Sequence, residues 1–421
     1  MASDPKYSSP LAAELAEPAL ARFLRYVVID TQASESSDTY PSTLKQLDLS
    51  RLLVEELKEL GLEDARLDEH GYVTATLPPT VEHDVPAIAF FAHVDTAREV
   101  TGAGVNPQRV RYDGGEIALG DSGRAIRPEE SPELASHVGH ELITTDGTTL
   151  LGADDKAGVA EIMAAAAYLA AHPELPHGPV KVAFNPDEEI GRGALHFPVD
   201  TFGATAAYTV DGSTAGELQA ETFSAAQVTM RIRGRAIHPG WAKGELVNAI
   251  KVAAEIVTRL PHDRLSPETT EGREGFVHPA VIAGGSAELE LRFIARDFED
   301  ALLEQHVAFL RELAEEVAAA EPRCSIEVDS QIQYRNMRDA LAEHPEIVAN
   351  LEEAIRRAGL EPRRTAIRGG TDGSALTEMG LPTPNIFTGG HDAHSEREWI
   401  CIEDMGLAAA TLVELARVWA E

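Results

Sequence analysis

Apolar residues along this chain recur with two different spacings. A spacing of three and four residues indicates helices, whereas alternation or a short continuous apolar run indicates strands. The pattern predicts helices over residues 11–28, 47–60 and 157–172, and strands over residues 72–77, 86–93, 141–144, 180–184 and 208–210. Several of these strands are apolar throughout, which is typical of strands buried on both faces. We therefore expect an α/β protein.

The segment between Thr101 and His137 interrupts this pattern. It is dense in Gly, Pro, Asp and Ser. Such composition favours a long irregular excursion over a core element, and functional loops often have it.

The order of elements changes in the middle of the chain. Residues 223–334 give the order β-α-β-β-α-β, a known compact motif, with the elements predicted at 226–232, 247–260, 276–283, 287–295, 299–320 and 325–332. The earlier pattern then resumes with a helix over 344–358, a strand over 382–388 and a helix over 404–420. We predict an α+β domain at 223–334, inserted into a larger domain formed by residues 1–222 and 335–421.

The net charge of the chain argues against two classes of partner, nucleic acids and anionic membranes. The chain of 421 residues has 36 Lys and Arg against 70 Asp and Glu, a formal net charge of −34. Such a charge repels phosphate backbones and anionic membranes, so neither nucleic acid nor a membrane is expected as a partner. The same charge also serves solubility.

Cysteine content indicates the compartment. Cys324 and Cys401 are the two cysteines, and no C-x-x-C pair occurs, so a disulfide framework is not expected. The first thirty residues lack the basic start and uninterrupted apolar stretch of a secretory signal. We expect a cytoplasmic protein.

Acidic residues and histidines follow the predicted strands. The groups concerned are His93-x-Asp95, Asp154-Asp155, Glu188-Glu189, Asp211 and His394. A single member would ordinarily be a solvated charge or a helix cap. Because buried parallel strands end at one edge of a sheet, these side chains should converge. Converging carboxylates repel one another unless cations lie between them, so the pattern predicts a metal centre.

The ligand types indicate which metal. Imidazole and carboxylate ligands suit zinc, with Co²⁺ or Mn²⁺ able to substitute. Five protein ligands exceed the three that one catalytic zinc ion usually takes, which favours two ions sharing a carboxylate. One member of Glu188-Glu189 could then bind metal while its neighbour moves protons, and Asp95 could orient His93. Motifs for serine hydrolases, phosphate loops, dinucleotide folds and H-E-x-x-H metalloproteases are absent from the sequence.

Several motifs together resemble one enzyme superfamily. They include His93-Val94-Asp95-Thr96, the run LLGADDKAGVAEIM from Leu150, Pro186 to Gly191, His238-Pro239-Gly240, Arg368 to Gly373 and Phe387 to Gly390. The chain resembles the co-catalytic zinc peptidases of the carboxypeptidase G2 and aminoacylase superfamily, and most closely a branch that acts on tripeptides. The run from Leu150 is the most specific of these motifs.

The resemblance implies a role for each site residue. His93 and Asp211 would bind one zinc ion, Glu189 and His394 the other, and Asp154 would bridge them. Glu188 would be the general base for a water between the ions, and Asp95 the orienting acid. Asp154 rather than Asp155 is the bridge because the family pattern D-x-K-x-G begins there. His238 would stabilise the oxyanion, and Asn248 and Arg296 would contact the substrate carboxylate.

The same resemblance implies further properties. In relatives the peptide bond after the bridging aspartate is cis, so we predict a cis bond between Asp154 and Asp155. The larger domain would be the catalytic domain, with a mixed central sheet flanked by helices and with both zinc ions. The inserted α+β domain would act as a lid and form a homodimer contact. The stretch from His391 to Glu396 departs from the aromatic residues expected there, and His391 could compete as a ligand.

The resemblance predicts an aminopeptidase that removes the N-terminal residue from short peptides, chiefly tripeptides. Two alternatives use the same residues. One is an N-acyl amino acid deacylase or dipeptidase with the same metal site. The other is a metal-binding protein without catalysis, which the presence of both Glu188 and Asp95 disfavours.

Overall fold

The computed structural model describes residues 7–421. The start of the N-terminal segment considered for a secretory signal, residues 1–6, lies outside the described residues. The α-helices are α1 Pro10–Tyr26, α2 Gln46–Glu59, α3 Ala153–Ala171, α4 Val199–Phe202, α5 Ala249–Thr258, α6 Asp300–Ala320, α7 Arg338–Ala342, α8 Pro345–Arg357, α9 Asp372–Glu378 and α10 Ile402–Val418. Short 3₁₀ turns cover Pro132–His137, Glu188–Ile190 and Pro239–Trp241.

The strands of the first half of the chain are β1 Arg66–Leu67, β2 Val73–Leu77, β3 Ile88–His93, β4 Gln108–Arg111, β5 Ile117–Leu119, β6 Arg124–Ile126, β7 Glu141–Thr144, β8 Val180–Asn185 and β9 Ala206–Gly212. Those of the second half are β10 Glu217–Thr222, β11 Ser224–Arg233, β12 Phe276–Gly284, β13 Glu288–Asp297, β14 Ser325–Tyr334, β15 Arg363–Ile367, β16 Asn385–Phe387, β17 Gly390–His391 and β18 Trp399–Cys401.

The chain divides into two compact units. The first contains the described residues up to Ala220 together with Asp339–Thr365 and Thr371–Glu421. The second contains Glu221–Arg338 and Ala366–Gly370. The second unit thus covers the predicted inserted segment 223–334 and a short piece from later in the chain.

The first unit is built on a mixed eight-stranded sheet. Its strand order is β1-β2-β8-β3-β9-β16-β10-β15, and β8, β3, β9 and β16 run parallel to one another. Every residue of β3 is buried, so both faces of the sheet are covered there. Helices α1, α3, α8 and α10 pack together as one group, and a cluster including Phe91, Phe197 and Leu376 forms a separate core. The predicted mixed α/β architecture is confirmed.

Residues 101–137 are more ordered than the sequence predicted. They contain β4, β5, β6 and a 3₁₀ turn, and β4 joins a second sheet of order β17-β18-β7-β4. Tyr112, Ile117, Leu119 and Leu134 are buried with Trp399 in a core of their own. The expectation of an irregular excursion was wrong because its few apolar residues are widely spaced among turn residues, yet they fill one small core.

The second unit has the element order β11-α5-β12-β13-α6-β14. Its four strands form an antiparallel sheet of order β12-β13-β11-β14. Alternate residues of β11 and β13 are buried with apolar residues of α5 and α6 in one core. This alternation is the reason why the strands could be predicted from the sequence.

Among the described residues, no helix combines the length and the apolar character needed to cross a bilayer.

Candidate metal centre

The carboxyl ends of three neighbouring parallel strands carry the predicted site residues. His93 is the last residue of β3 and lies beside Asn185, the last residue of β8. Asp211 lies near the end of β9, on the other side of β3. The chain leaves β8 through Asp187, whose φ of 63° turns it sharply into the 3₁₀ turn that carries Glu188 and Glu189. Strand order therefore brings residues distant in sequence to one edge of the sheet.

The five predicted ligands form two overlapping groups. His93 Nε2 lies 3.0 Å from Asp154 Oδ1 and 3.7 Å from Asp211 Oδ1. His394 Nε2 lies 3.2 Å from Asp154 Oδ2 and 3.0 Å from Glu189 Oε2. In each group the three donor atoms lie within 4.8 Å of one another. The two oxygens of Asp154 face different groups, which is the arrangement expected of a carboxylate that bridges two ions.

The electrostatics of this cluster suit divalent cations. Burial would lower the pKa of His93, but the carboxylates of Asp154, Asp211 and Asp95 outweigh it and raise the pKa well above the usual value. Hydrogen bonds to Asp154 and Glu189 raise the pKa of His394 to about 11. Both imidazoles thus lie where positive charge is strongly favoured.

Glu189 adds a second sign that a cation fits here. Burial, followed by the charge of Asp154, raises the pKa of Glu189 to about 7. Its buried Oε1 has no hydrogen-bond partner among the described residues. A bound metal ion would satisfy this oxygen and relieve the repulsion between the carboxylates. The residues present therefore fit a pair of divalent ions.

The tandem acids Asp154 and Asp155 have different surroundings. Asp155 belongs to neither group and accepts hydrogen bonds from the backbone N–H groups of His93, at 3.2 Å, and Gly158, at 3.3 Å. The peptide bond between the two acids is cis, as predicted. Both acids have backbone angles outside the helical region, so the regular part of α3 begins after them.

His391 belongs to neither group of ligands. Its Nδ1 lies 3.2 Å from Ser213 Oγ, and its ring stacks on Trp399 with the centroids 4.3 Å apart. A cavity of about 170 Å³ is lined by His391 together with Asp154, Asp211 and Ser213. His391 therefore lies at the wall of a cavity that reaches the carboxylate of Asp154.

Asp95 supports the centre through the backbone. It is fully buried, and its two oxygens accept hydrogen bonds from the backbone N–H groups of Glu188, at 3.0 Å, and Glu189, at 3.2 Å. Its Oδ1 also lies 3.4 Å from His93 Nδ1. One carboxylate thus contacts both the imidazole and the turn that carries the paired glutamates.

Sequence reasoning missed Glu398, which holds the backbone around Asp154. Its buried carboxylate accepts hydrogen bonds from Leu151 N and Gly152 N, both at 2.7 Å, and from Asp154 N at 3.0 Å. Its partners lie more than 240 positions away, so no local pattern could have identified it.

Asp187 was quoted within its motif but given no role. It is buried, and it accepts hydrogen bonds from Ser42 N at 2.6 Å and from Gln46 Nε2 at 2.7 Å. Its own N–H donates to Gln46 Oε1 at 3.1 Å. The start of α2 therefore anchors the turn that leads to Glu188 and Glu189.

The three predicted substrate contacts lie in the second unit. His238 is exposed, with its Nδ1 accepting a hydrogen bond from Gly240 N. Asn248 caps α5 through its side-chain oxygen. Arg296, on β13, donates from Nη1 to Arg368 O at 3.4 Å. Their roles toward a substrate stay predictions.

This geometry defines a class of protein. Two imidazoles and three carboxylates at the carboxyl edge of a parallel sheet, with one carboxylate shared, are typical of metal-dependent hydrolases that use two ions. The class agrees with what known proteins share with this chain. The model of Peptidase family M20/M25/M40 matches residues 140–418. The chain belongs to this family, and the prediction of a peptide-bond hydrolase is confirmed.

Individual relatives agree with the family. The chain is 49% identical over 402 residues to Peptidase T of Geobacillus thermodenitrificans, which covers 95% of this chain and 98% of the relative. The fold matches the crystal structure of aminopeptidase PepT from Bacillus cereus with a TM-score of 0.74, at 24% identity, over 96% of this chain and 99% of that one. It also matches a Bacillus subtilis dinuclear metal-binding peptidase of family M20, with a TM-score of 0.65, at 16% identity, over 96% and 98%. The predicted resemblance to the tripeptide branch, peptidase T, is confirmed.

Proposed function

We propose that this protein is an aminopeptidase that releases the N-terminal residue of tripeptides with the help of two zinc ions. The observation that carries the proposal is the position of Asp154, whose two oxygens face separate groups of donor atoms. The similarity to Peptidase T along almost the whole chain supports the choice of short peptides. Zinc is the metal that best suits two imidazoles and three carboxylates.

The ligands divide between the two ions by distance. His93 and Asp211 would hold one ion, Glu189 and His394 would hold the other, and Asp154 would bridge them. When bound, the ions supply Lewis acidity for the scissile carbonyl and a water of lowered pKa. The protein fixes its ligands beforehand through the buried carboxylates behind them.

Glu188 is the group that moves the proton. It lies next to Glu189 but belongs to neither set of donor atoms. Burial, and after it the charges of Asp372, Asp211 and Glu189, raises the pKa of Glu188 above its usual value, although His93 opposes this shift. A carboxylate with a raised pKa accepts a proton from the attacking water and then donates it to the departing amine. Asp95 keeps Glu188 in place through its backbone N–H.

The second unit supplies the substrate contacts in this proposal. His238 steadies the developing oxyanion, and Asn248 and Arg296 bind the carboxylate of the peptide. The unit also forms the contact of a homodimer, for which the mass of the protein in solution is the test. A cytoplasmic location stays a prediction from the cysteine content.

Replacing Glu188 with Gln tests the proposed chemistry. Glu188→Gln should still bind two zinc ions per chain and should hydrolyse a tripeptide at least ~100-fold more slowly, a typical share for general base catalysis. Glu82→Gln makes the same change at an exposed position and should keep full activity. Full activity of Glu188→Gln would refute the assignment.

The choice of substrate decides among the remaining alternatives. The unmodified protein should cleave a tripeptide faster than the dipeptide formed from it, and faster than the N-acetylated tripeptide. Preference for the acetylated peptide would indicate a deacylase, and preference for the dipeptide would indicate a dipeptidase. Metal analysis before and after treatment with a chelator checks that zinc is the metal present in the active protein.

A further inference from the structure

A second group of metal-binding side chains lies outside the peptidase centre, at the start of α10. His137, Cys401 and Asp404, which we call the His137 cluster, place an imidazole nitrogen, a thiol sulfur and a carboxylate oxygen within 4.8 Å of one another. His137 Nε2 lies 2.9 Å from Asp404 Oδ2. The peptidase centre contains no sulfur, so this donor set is chemically distinct from it.

The imidazole of His137 is oriented as in a metal ligand. Its Nδ1 donates to the backbone carbonyl of Glu133 at 2.8 Å, which directs Nε2 toward Asp404. The ring also packs edge-on against Trp399, with the centroids 5.0 Å apart. Metal-binding histidines commonly have their second nitrogen fixed by a carbonyl in this way.

The surroundings of the cluster contain a buried carboxyl group whose oxygens lack hydrogen-bond partners among the described residues. His137, Cys401 and Asp404 have exposed fractions of 5%, 0% and 6%. The buried carboxyl group is that of Glu161 on α3, which is fully buried and has neither carboxyl oxygen in a hydrogen bond with any residue from 7 to 421. Burial and then the charge of Asp404 raise the pKa of Glu161 well above its usual value. A cation at the cluster would reduce this repulsion.

A second set of donors shares the same sulfur atom. Cys401 Sγ lies 3.5 Å from His140 Nδ1 and 3.4 Å from Glu403 Oε2, and these two atoms lie 3.9 Å apart. Acidic residues in the first turn of a helix are common because of the helix dipole, which alone would account for Glu403 and Asp404. The dipole does not account for two histidines and a thiol gathered around the same carboxylates.

We propose that the His137 cluster binds one divalent metal ion of borderline softness, for which zinc is the best match. His137 Nε2, Cys401 Sγ and Asp404 Oδ2 are the ligands, and His140 and Glu403 flank the sulfur. Binding releases the proton of the Cys401 thiol and any proton on His137 Nε2, so that the sulfur binds as thiolate. Because the cluster joins the turn before β7 to the start of α10, the ion has a structural role.

Cobalt is the probe that distinguishes this ion from those of the peptidase centre. Thiolate bound to Co²⁺ gives an intense charge-transfer absorption in the near ultraviolet, which imidazole and carboxylate ligands do not give. The metal-free full-length protein, kept reduced with a phosphine because a thiol reductant would bind cobalt, is titrated with Co²⁺. We expect the band to saturate at about one equivalent per chain beyond any ions held by the peptidase centre.

Two cysteine variants provide a matched pair. Cys401→Ser should lose the band, whereas Cys324→Ser should keep it, because Cys324 belongs to neither group of donors around Cys401. His137→Gln keeps the thiol and should weaken cobalt binding at this site at least ~10-fold, so it decides the matter if Cys401→Ser does not fold. Glu188→Gln should keep the band, which separates this proposal from the peptidase assignment. Absence of the band in reduced, folded wild-type protein, or its persistence in Cys401→Ser, would overturn the proposal.

Discussion

Glu398→Gln tests whether a residue that binds no metal controls the metal centre. In the native protein the carboxylate accepts three backbone N–H groups, two through Oε2 and one through Oε1. A glutamine has one oxygen in place of two. If that oxygen keeps the hydrogen bonds from Leu151 N and Gly152 N, the NH₂ group of the glutamine faces the backbone N–H of Asp154, and two donors then meet. The variant therefore loses one acceptor at the residue that bridges the two groups of ligands.

The size of the effect follows from hydrogen-bond energetics. A hydrogen bond to a charged group contributes about 1.5–3 kcal/mol, and a buried donor without a partner costs about 1–3 kcal/mol. Because both figures describe the loss of the same hydrogen bond, they are not added, and we expect Glu398→Gln to lower the free energy of unfolding by about 1.5–3 kcal/mol. Movement of Asp154 should also weaken metal binding by about 10- to 100-fold, as for other residues that orient metal ligands.

The assay has three readouts. Burial raises the pKa of Glu398 to about 7, although its three backbone hydrogen bonds oppose this shift, so measurements at about pH 8 keep the carboxylate ionised. Urea unfolding of the metal-free protein gives the stability, a zinc titration gives the affinity, and tripeptide hydrolysis at saturating zinc gives kcat and KM. A displacement of about 1 Å in the bridging ligand can reduce kcat ~100-fold, with a smaller effect on KM.

A matched control and a clear refutation are available. Glu378→Gln makes the same change at an exposed position near the end of α9 and should alter the stability by less than about 0.5 kcal/mol. If Glu398→Gln resembles this control in stability and also binds zinc like wild type, then the three hydrogen bonds do not position Asp154, and the reasoning is wrong.

Three further predictions concern stability. Burial and the hydrogen bond to Glu56 raise the pKa of Tyr26 above its ordinary 10.0, so the folded state keeps a proton that the unfolded chain loses above about pH 10. Above that pH, the free energy of unfolding of wild type, measured with urea, should therefore fall by about 1.4 kcal/mol per pH unit relative to that of Tyr26→Phe. The same dependence on pH in both proteins would contradict this. Gly158→Ala places a Cβ 1.9 Å from Val210 O and should cost about 3 kcal/mol or more in the same assay, whereas Gly285→Ala meets no atom within 4 Å and should be nearly neutral. Removing metal with a chelator should lower the melting temperature, because free zinc at ~1,000 times its dissociation constant adds about 4 kcal/mol of stability; an unchanged temperature would argue against tight metal binding.

The periodicity of apolar residues predicted the elements whose burial is regular. The continuous apolar run of β3 and the alternation in β11 and β13 gave strands close to the observed bounds. The sequence did not predict β15, because its residues are mostly exposed and polar and show no apolar pattern. Helix α9 was also missed, since it is short and follows glycines that indicate a turn.

The sequence was sufficient to predict the charged side chains of the candidate site, but not the residues that hold the backbone around them. His93, Asp211 and the paired glutamates follow apolar strands, and the topology of a parallel sheet implies that such residues meet. Glu398 could not be found in this way because its partners are backbone N–H groups, which leave no trace in the sequence. The His137 cluster could not be found either, because Cys401 and His137 are distant in the sequence and the pairing of β18 with β7 brings them together.

Buried carboxylates behind the proposed ligands explain how the side chains of a highly charged centre are held in defined positions. Asp95, Asp187 and Glu398 each accept hydrogen bonds from backbone N–H groups. Asp95 accepts from the N–H groups of the paired glutamates, and Glu398 accepts from Asp154 and from residues shortly before it. Asp187 instead ties the turn that follows it to the start of α2. Apolar packing cannot fix these turns, because the side chains that they present are charged and face one another. Carboxylates are suited to this role, since one group accepts several N–H donors and such hydrogen bonds favour its ionised form. Loss of any of the three should therefore disturb the centre more than its distance from the substrate would suggest.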